Sequence, residues 1–354
     1  MKKLIVLIPE GVYIDYYIYS VASRSLDSTS GAVLCDRKGR IRYRGPGING
    51  NEIDNLIRQI QPEAIALKIL YGGNEFQKVE IFDNSVIERL EKLVPQSPLD
   101  IPPAIQLIKR LQRVVPTPLL ILFFETAFFT ALPYRERIYA VADIENSCRT
   151  FDGVRRFGYH GIYHNAASKL VSHYDENARR ILSICLESSP EVVGVFDGRP
   201  IMVSSGSTPL EGLTGNATCG EIDPGIVLTI EEKKAWGPEK INNVLTRESG
   251  LTALAGKHVT IEDVFSNSSE YGSARDFFSY RVLLYSGSAV AVMGGVDAIV
   301  FSGKYQARTL AEWLAEKLSQ ASINALLPQL FFLNKSDDRL IAEEAFRITK
   351  QSNR

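Results

Sequence analysis

The 354-residue chain reads as an α/β protein of two domains, and three features carry that reading. Its length exceeds a usual single domain and favours two, each able to bury its own core. It opens on consecutive strand-like segments and then alternates helix-like with strand-like ones. After residue 180 a second set of strands begins and the alternation repeats.

In order, Leu4 to Ile8, Val12 to Ser20, Gly31 to Asp36 and Arg40 to Arg44 are apolar or alternating runs parted by turn residues, which predicts a meander of strands. Tyr13, Tyr16, Tyr17 and Tyr19 alternate in part, as on a two-faced strand. Asn51 to Ile60, Ser85 to Leu93 and Pro103 to Arg113 have helical spacing, whereas Ala64 to Ile69 and Leu119 to Phe124 suit buried strands. That is the order of a ribonuclease H-like domain. In the second half, Arg180 to Leu186, Glu191 to Phe196 and Pro200 to Ser204 read as strands, with Asp197-Gly198 as a turn. Helices are expected around Pro238 to Leu245, Gly250 to Leu254, Ile261 to Phe265 and Ser273 to Val292, the last with an apolar stripe through Tyr280, Leu283, Leu284, Gly287, Val290 and Ala291. A strand at Ala298 to Ser302 and helices at Thr309 to Gln320 and Asp338 to Lys350 complete the pattern.

Forty Lys plus Arg against 41 Asp plus Glu give a net charge of -1 with no basic block, which argues against nucleic acid as a partner. Cys35, Cys148, Cys185 and Cys219 lack CxxC spacing and read as reduced cytoplasmic thiols. The apolar run after Met1 stops at Pro9 and Glu10, short of a signal peptide, and Leu119 to Phe124 falls far short of the roughly 20 residues that span a bilayer. No membrane association is expected.

The motifs are more specific. Phe157-Gly158-Tyr159-His160-Gly161, then Thr208-Pro209-Leu210-Glu211-Gly212-Leu213 and Gly220-Glu221-Ile222-Asp223-Pro224, closely resemble signatures of the acetate kinase family. In the same order, Leu67 to Gly73 resembles its HRVVHGG, Ser97 to Pro102 its APLHNP, Phe124 to Phe128 its FDTAF, and Gly294 to Gly303 its GGVDAIVFTGG. The resemblance implies two ribonuclease H-like (actin-like ATPase) domains around a central cleft: residues 1–148 joined by a C-terminal helix at 338–354, and residues 149–337. It also implies a homodimer through the second domain, ATP and Mg²⁺ as cofactors, and a small carboxylate or a nucleotide as ligand.

Phosphoryl transfer to a carboxylate depends on positioning and on positive charge at the transferring group. By resemblance, Lys68 stands for the first phosphoryl-binding arginine, keeping charge without the bidentate fork, and Thr218 replaces the second. His160 and Glu125 are the residual catalytic positions, Gly11, Gly303 and Asp223 the residual cofactor positions, and Asp338 or its neighbour Asp337 the metal position. The family's glycine-rich HLGNGAS turn is met by Cys185-Leu186-Glu187-Ser188-Ser189-Pro190-Glu191, which has no glycine, one proline and two carboxylates expected to repel phosphate. Its NxGSSSxK hairpin is met by Pro9 to Tyr16 with only Gly11 kept. ATP and Mg²⁺ binding is therefore expected to be weak or absent, and the chain to be a catalytically impaired relative with a binding or regulatory role. The alternatives are a diverged acyl kinase using Lys68, His160, Glu125 and Arg155, Arg156 or Lys304, or a nucleotide-binding sensor. His160 and His164 share i, i+4 spacing, but HGIYH lacks the glutamate of a zinc-protease helix.

Overall fold

The computed structural model describes residues 3–21, 33–43, 51–114, 118–141, 155–266, 270–305, 307–321 and 328–352. Cys148 and the domain boundary expected there lie outside these residues. The chain divides into two compact units, Met1–Thr130 with Ser336–Arg354, and Ala131–Lys335.

The first unit starts with strands β1 (Lys3–Glu10), β2 (Tyr13–Val21) and β3 (Val33–Arg42), an antiparallel meander. The two short strands expected at Gly31 to Asp36 and Arg40 to Arg44 are thus one, because Gly39 continues the pairing opposite Tyr16 instead of turning. Helix α1 (Asn51–Ile60) leads to β4 (Ala64–Ile69), short β5 (Glu80–Ile81), helices α2 (Ser85–Glu91) and α3 (Ile101–Leu111), and β6 (Leu119–Phe124). The sheet order is β3-β2-β1-β4-β6-β5, with β4 parallel to both β1 and β6. Strands β1, β4 and β6 are almost wholly buried, as parallel strands covered on both faces must be.

The second unit begins after a short 3₁₀ turn with helix α4 (Tyr134–Arg137) and α5 (Gly161–Tyr174). Strands β7 (Arg180–Cys185), β8 (Glu191–Phe196) and β9 (Arg199–Val203) form the second meander. Helices α6 (Pro224–Lys234), α7 (Pro238–Arg247), α8 (Gly250–Ala255), α9 (Ile261–Ser266) and α10 (Gly272–Met293) follow, then β10 (Ala298–Ser302), α11 (Arg308–Ala321) and β11 (Gln329–Phe332). The sheet order β11-β10-β7-β8-β9 repeats the first unit's scheme: third, second and first strands antiparallel, then two parallel additions. Helix α12 (Asp337–Ser352) packs on β1 and β4 of the first unit.

Helix α10 buries a face only partly the expected one: Leu283 and Val290 of the expected stripe pack against the core partly buried. Ala274, Phe278, Val282, Ser286, Ala289 and Met293 face the core, while Tyr280 and Leu284 are 55% and 42% exposed. The helix is apolar on both sides, so spacing alone could not choose between them. Gly194 of β8 lies under this face, where a Cβ would sit 3.3 Å from Ala289 Cβ. Among the described residues no helix is long and apolar enough to cross a membrane.

Candidate functional site

The sequence-marked positions fall in both units. In the first, β4 and β6 run parallel in register, Ile69 opposite Phe124, so Lys68 and Glu125 emerge at the same strand ends. The Glu125 N–H donates to the Ile69 carbonyl, which fixes the backbone there. The start of α12 adds Asp337 and Asp338. Lys68 Nζ lies 2.7 Å from Glu125 Oε1 and 2.8 Å from Asp337 Oδ2. Glu125 is fully buried, and Lys68 and Asp337 are 17% and 20% exposed. Burial alone would pull the ammonium pKa down, but the two carboxylates overcome it and hold it above the ordinary lysine range. Asp338, the expected metal position, accepts a 2.5 Å hydrogen bond from the Tyr19 hydroxyl. Burial and that bond raise the Tyr19 phenol above its ordinary range. Gly11 sits at the turn between β1 and β2 with φ +61°, a backbone need that glycine meets unaided.

In the second unit, the stretch before α5 and the turn between β7 and β8 are tied together. Glu191 is fully buried and accepts from the backbone N–H groups of Tyr159 and His160 and from His164 Nε2 at 3.1 Å. His164 Nδ1 meets Ser183 Oγ at 2.8 Å, so both ring nitrogens are engaged. Burial pushes the Glu191 carboxyl pKa up, but the His164 hydrogen bond and charge more than offset it, leaving it below the ordinary range. The expectation that Glu191 faces phosphate is therefore corrected: as the first residue of β8 it points into the core, where it pins the Tyr159-His160 backbone. His160 Nε2 lies 2.8 Å from the Ser189 carbonyl, so the imidazole braces the same turn.

Glu187 does face outward, but it is paired. Its carboxylate accepts from the Lys304 backbone N–H at 2.9 Å and from the Tyr163 hydroxyl at 3.3 Å, and lies 3.1 Å from Lys304 Nζ. Lys304 Nζ also reaches Ser188 Oγ. Gly303, with φ +92°, lets β10 approach β7 so closely that a Cβ there would sit 2.5 Å from the Leu186 carbonyl. Its glycine serves this packing directly. Thr218 accepts the Gly215 N–H through its carbonyl, and Asn216 donates its N–H to the Ser188 carbonyl, closing the loop over the turn. Asp223 caps α6 by accepting the Gly225 N–H at 2.7 Å. Arg156 pairs with Glu211 at 2.7 Å, and Arg155 lies over the Phe157 ring.

The motif order and this geometry agree with one group of proteins. A family model described as the acetokinase family matches residues 37–338. The chain belongs to that family. It is 30% identical over 249 residues to an acetate kinase of Thermosipho africanus, covering 68% of this chain and 60% of that protein. The chain spans about three-fifths of the length of the curated relatives it matches. Among solved structures, Porphyromonas gingivalis acetate kinase superposes with a TM-score of 0.80 at 21% identity, covering 99% of this chain and 100% of that one. A propionate kinase from Francisella tularensis gives 0.80 and 21%, covering 97% and 99%. At such identities the likeness establishes the fold, an α/β pair of ribonuclease H-like domains.

Sequence reasoning did not find the roles of His164, Ser183 and Tyr19. Their partners lie 27, 19 and 319 positions away, and no local spacing signals them.

Proposed function

We propose that this acetokinase-family chain has absent or very weak acyl kinase activity and acts by binding or regulation. The observation that carries this reading is the Glu187 contact set. A carboxylate of the chain occupies the Lys304 N–H, the Lys304 ammonium and the Tyr163 hydroxyl, donors of the kind a nucleotide phosphate would require beside this turn. The turn itself offers no glycine to bring further N–H groups close, and Pro190 lacks one.

The Lys68 cluster supports the same reading in the first unit. Glu125 and Asp337, the latter one of the two expected metal positions, converge on an ammonium. Asp338 is held by Tyr19. Among the described residues no group of three His, Cys, Asp or Glu side chains is set for a metal ion. These pairings support weak or absent binding of Mg²⁺-ATP. Lys68, His160, Glu125, Gly11, Gly303 and Asp223 each perform a local structural task, which supports reading them as retained family positions without phosphate chemistry.

A cytoplasmic homodimer completes the proposal. Helix α6 has no buried residue although it carries Ile226 and Leu228, 48% and 65% exposed, and α10 exposes Tyr280 and Leu284. Exposed apolar residues of this kind on the second unit suit a two-fold interface. The deciding test of function is a hydroxamate assay of purified protein with ATP, Mg²⁺ and acetate, propionate or butyrate. No acyl phosphate above background is expected; turnover of about 1 to 100 s⁻¹, the usual kinase range, would establish the diverged kinase instead.

A further inference from the structure

The first unit contains a cavity of about 610 Å³ far along the sheet from Lys68. It lies between α1 and α3 and is lined by Arg58, Lys109, Arg110 and Arg113 with a single acid, Asp54. Arg58 is in the last turn of α1, which leads into the start of β4, and Arg110 in the last turn of α3, which leads toward the start of β6. Lys68 and Glu125 stand at the opposite ends of those two strands. The cavity is therefore separate from the site already described.

Among the described residues its charge is not neutralised internally. Arg110 forms a bidentate pair with Asp54, both contacts 2.8 Å, and Lys109 makes an exposed 3.2 Å pair with Glu91. Arg58 and Arg113 are exposed and have no ion pair among the described residues. The neighbouring sequence stretches 44–50 and 115–117 contain no acidic residue that could serve them. Cations at helix C-termini complement the helix dipole, but each terminus carries only about half a negative charge. Two termini offset about one cation, which leaves positive charge in excess. Behind the charged rim, Ile53, Leu107 and Val114 form a buried apolar floor, and Gln106 adds an amide. A volume of several hundred Å³, an apolar floor and a few convergent polar groups are the marks of a small-molecule site.

We propose that this cavity binds a small organic phosphate. The guanidinium fork matches phosphate oxygens bidentately, and two arginines with no ion pair among the described residues, above an apolar floor, suit a phosphate group carried on a compact organic body. The assignment stands apart from the proposed loss of kinase activity, since it uses none of the same residues.

The test is calorimetric titration with inorganic diphosphate at low ionic strength, comparing the wild type with Arg58→Gln/Arg113→Gln and with Lys234→Gln/Arg247→Gln, an equal charge change in the second unit. Saturable binding that weakens at least tenfold in the first variant, and is unchanged in the second, is the expected result. Thermal melting of both variants confirms folding, since all four side chains are exposed. Absence of saturable binding, an equal loss in both variants, or tighter binding of citrate than of diphosphate would overturn the assignment. Repeating an ATP titration in Arg58→Gln/Arg113→Gln separates nucleotide held here from nucleotide held at the Glu187 turn.

Discussion

Replacing Lys68 by methionine removes a charge while keeping most of the side-chain volume. It leaves Glu125, fully buried, and Asp337, only 20% exposed, converging on a point with no cation between them. Removing one partner of a buried ion pair typically costs about 3 to 5 kcal/mol, because the remaining charge stays desolvated. The partial exposure of Lys68 and Asp337 places the expectation at the lower end, about 3 kcal/mol. For a unit of this size each kcal/mol lowers Tm by about 2 to 4 °C, so the first transition should fall by about 6 to 12 °C. Differential scanning calorimetry of wild type and Lys68→Met, with urea melts at pH 7, reads it. A loss under about 1 kcal/mol would refute the reasoning, because it would place Lys68 among ordinary solvated surface pairs.

Glu191→Gln should cost about 2 kcal/mol, since it weakens hydrogen bonds from two backbone N–H groups and from His164. Its effect should depend on pH: a carboxyl held below its ordinary range stabilises the fold above about pH 4.3 and loses that contribution as pH falls through the folded pKa. Urea melts from pH 7 to pH 3 should therefore show the variant and wild type converging in acid, and a constant gap would contradict the account. Gly303→Ala should destabilise the protein by about 1 to 3 kcal/mol with no ligand present, because a Cβ at φ +92° meets the Leu186 carbonyl; a neutral outcome in thermal melts would return Gly303 to a purely ligand-binding role. Thr218→Arg should leave acetate-dependent ATP consumption at background in a coupled assay, since positioning and charge stabilisation act as a unit; robust activity would mean the other parts are intact. Light scattering at micromolar concentration should report a dimer, and a monomer alone would remove the proposed interface.

Most of the strand frame was legible because its signals are local. Ala64 to Ile69, Leu119 to Phe124 and Ala298 to Ser302 are short apolar runs that become buried parallel strands with those same bounds. Helix α6 was not legible, since Gly225, Ile226, Val227 and Leu228 form a contiguous apolar block with no periodic face, and none is buried. The inward face of α10 was illegible because the helix is apolar on both sides and its neighbours across the core lie far away in sequence. At the site, the sequence marked which family positions differ but not what the new residues do. Glu187 and Glu191 look alike as two carboxylates in one turn, yet one pairs with Lys304 and the other is sunk against His164. The strand register, which turns Glu191 inward at the start of β8, is a property of the sheet and not of the heptapeptide.

The central claim is that the chain's own side chains take up the groups a phosphate and its metal would need. A crystal soaked with millimolar ATP and Mg²⁺ tests it most directly. The expected density shows Glu187 still on Lys304 and Tyr163, Lys68 still between Glu125 and Asp337, and no triphosphate against the Cys185 to Glu191 turn. A triphosphate seated on that turn with Glu187 displaced, or a metal ion held by Glu125 and Asp337 in place of the Lys68 ammonium, would contradict it.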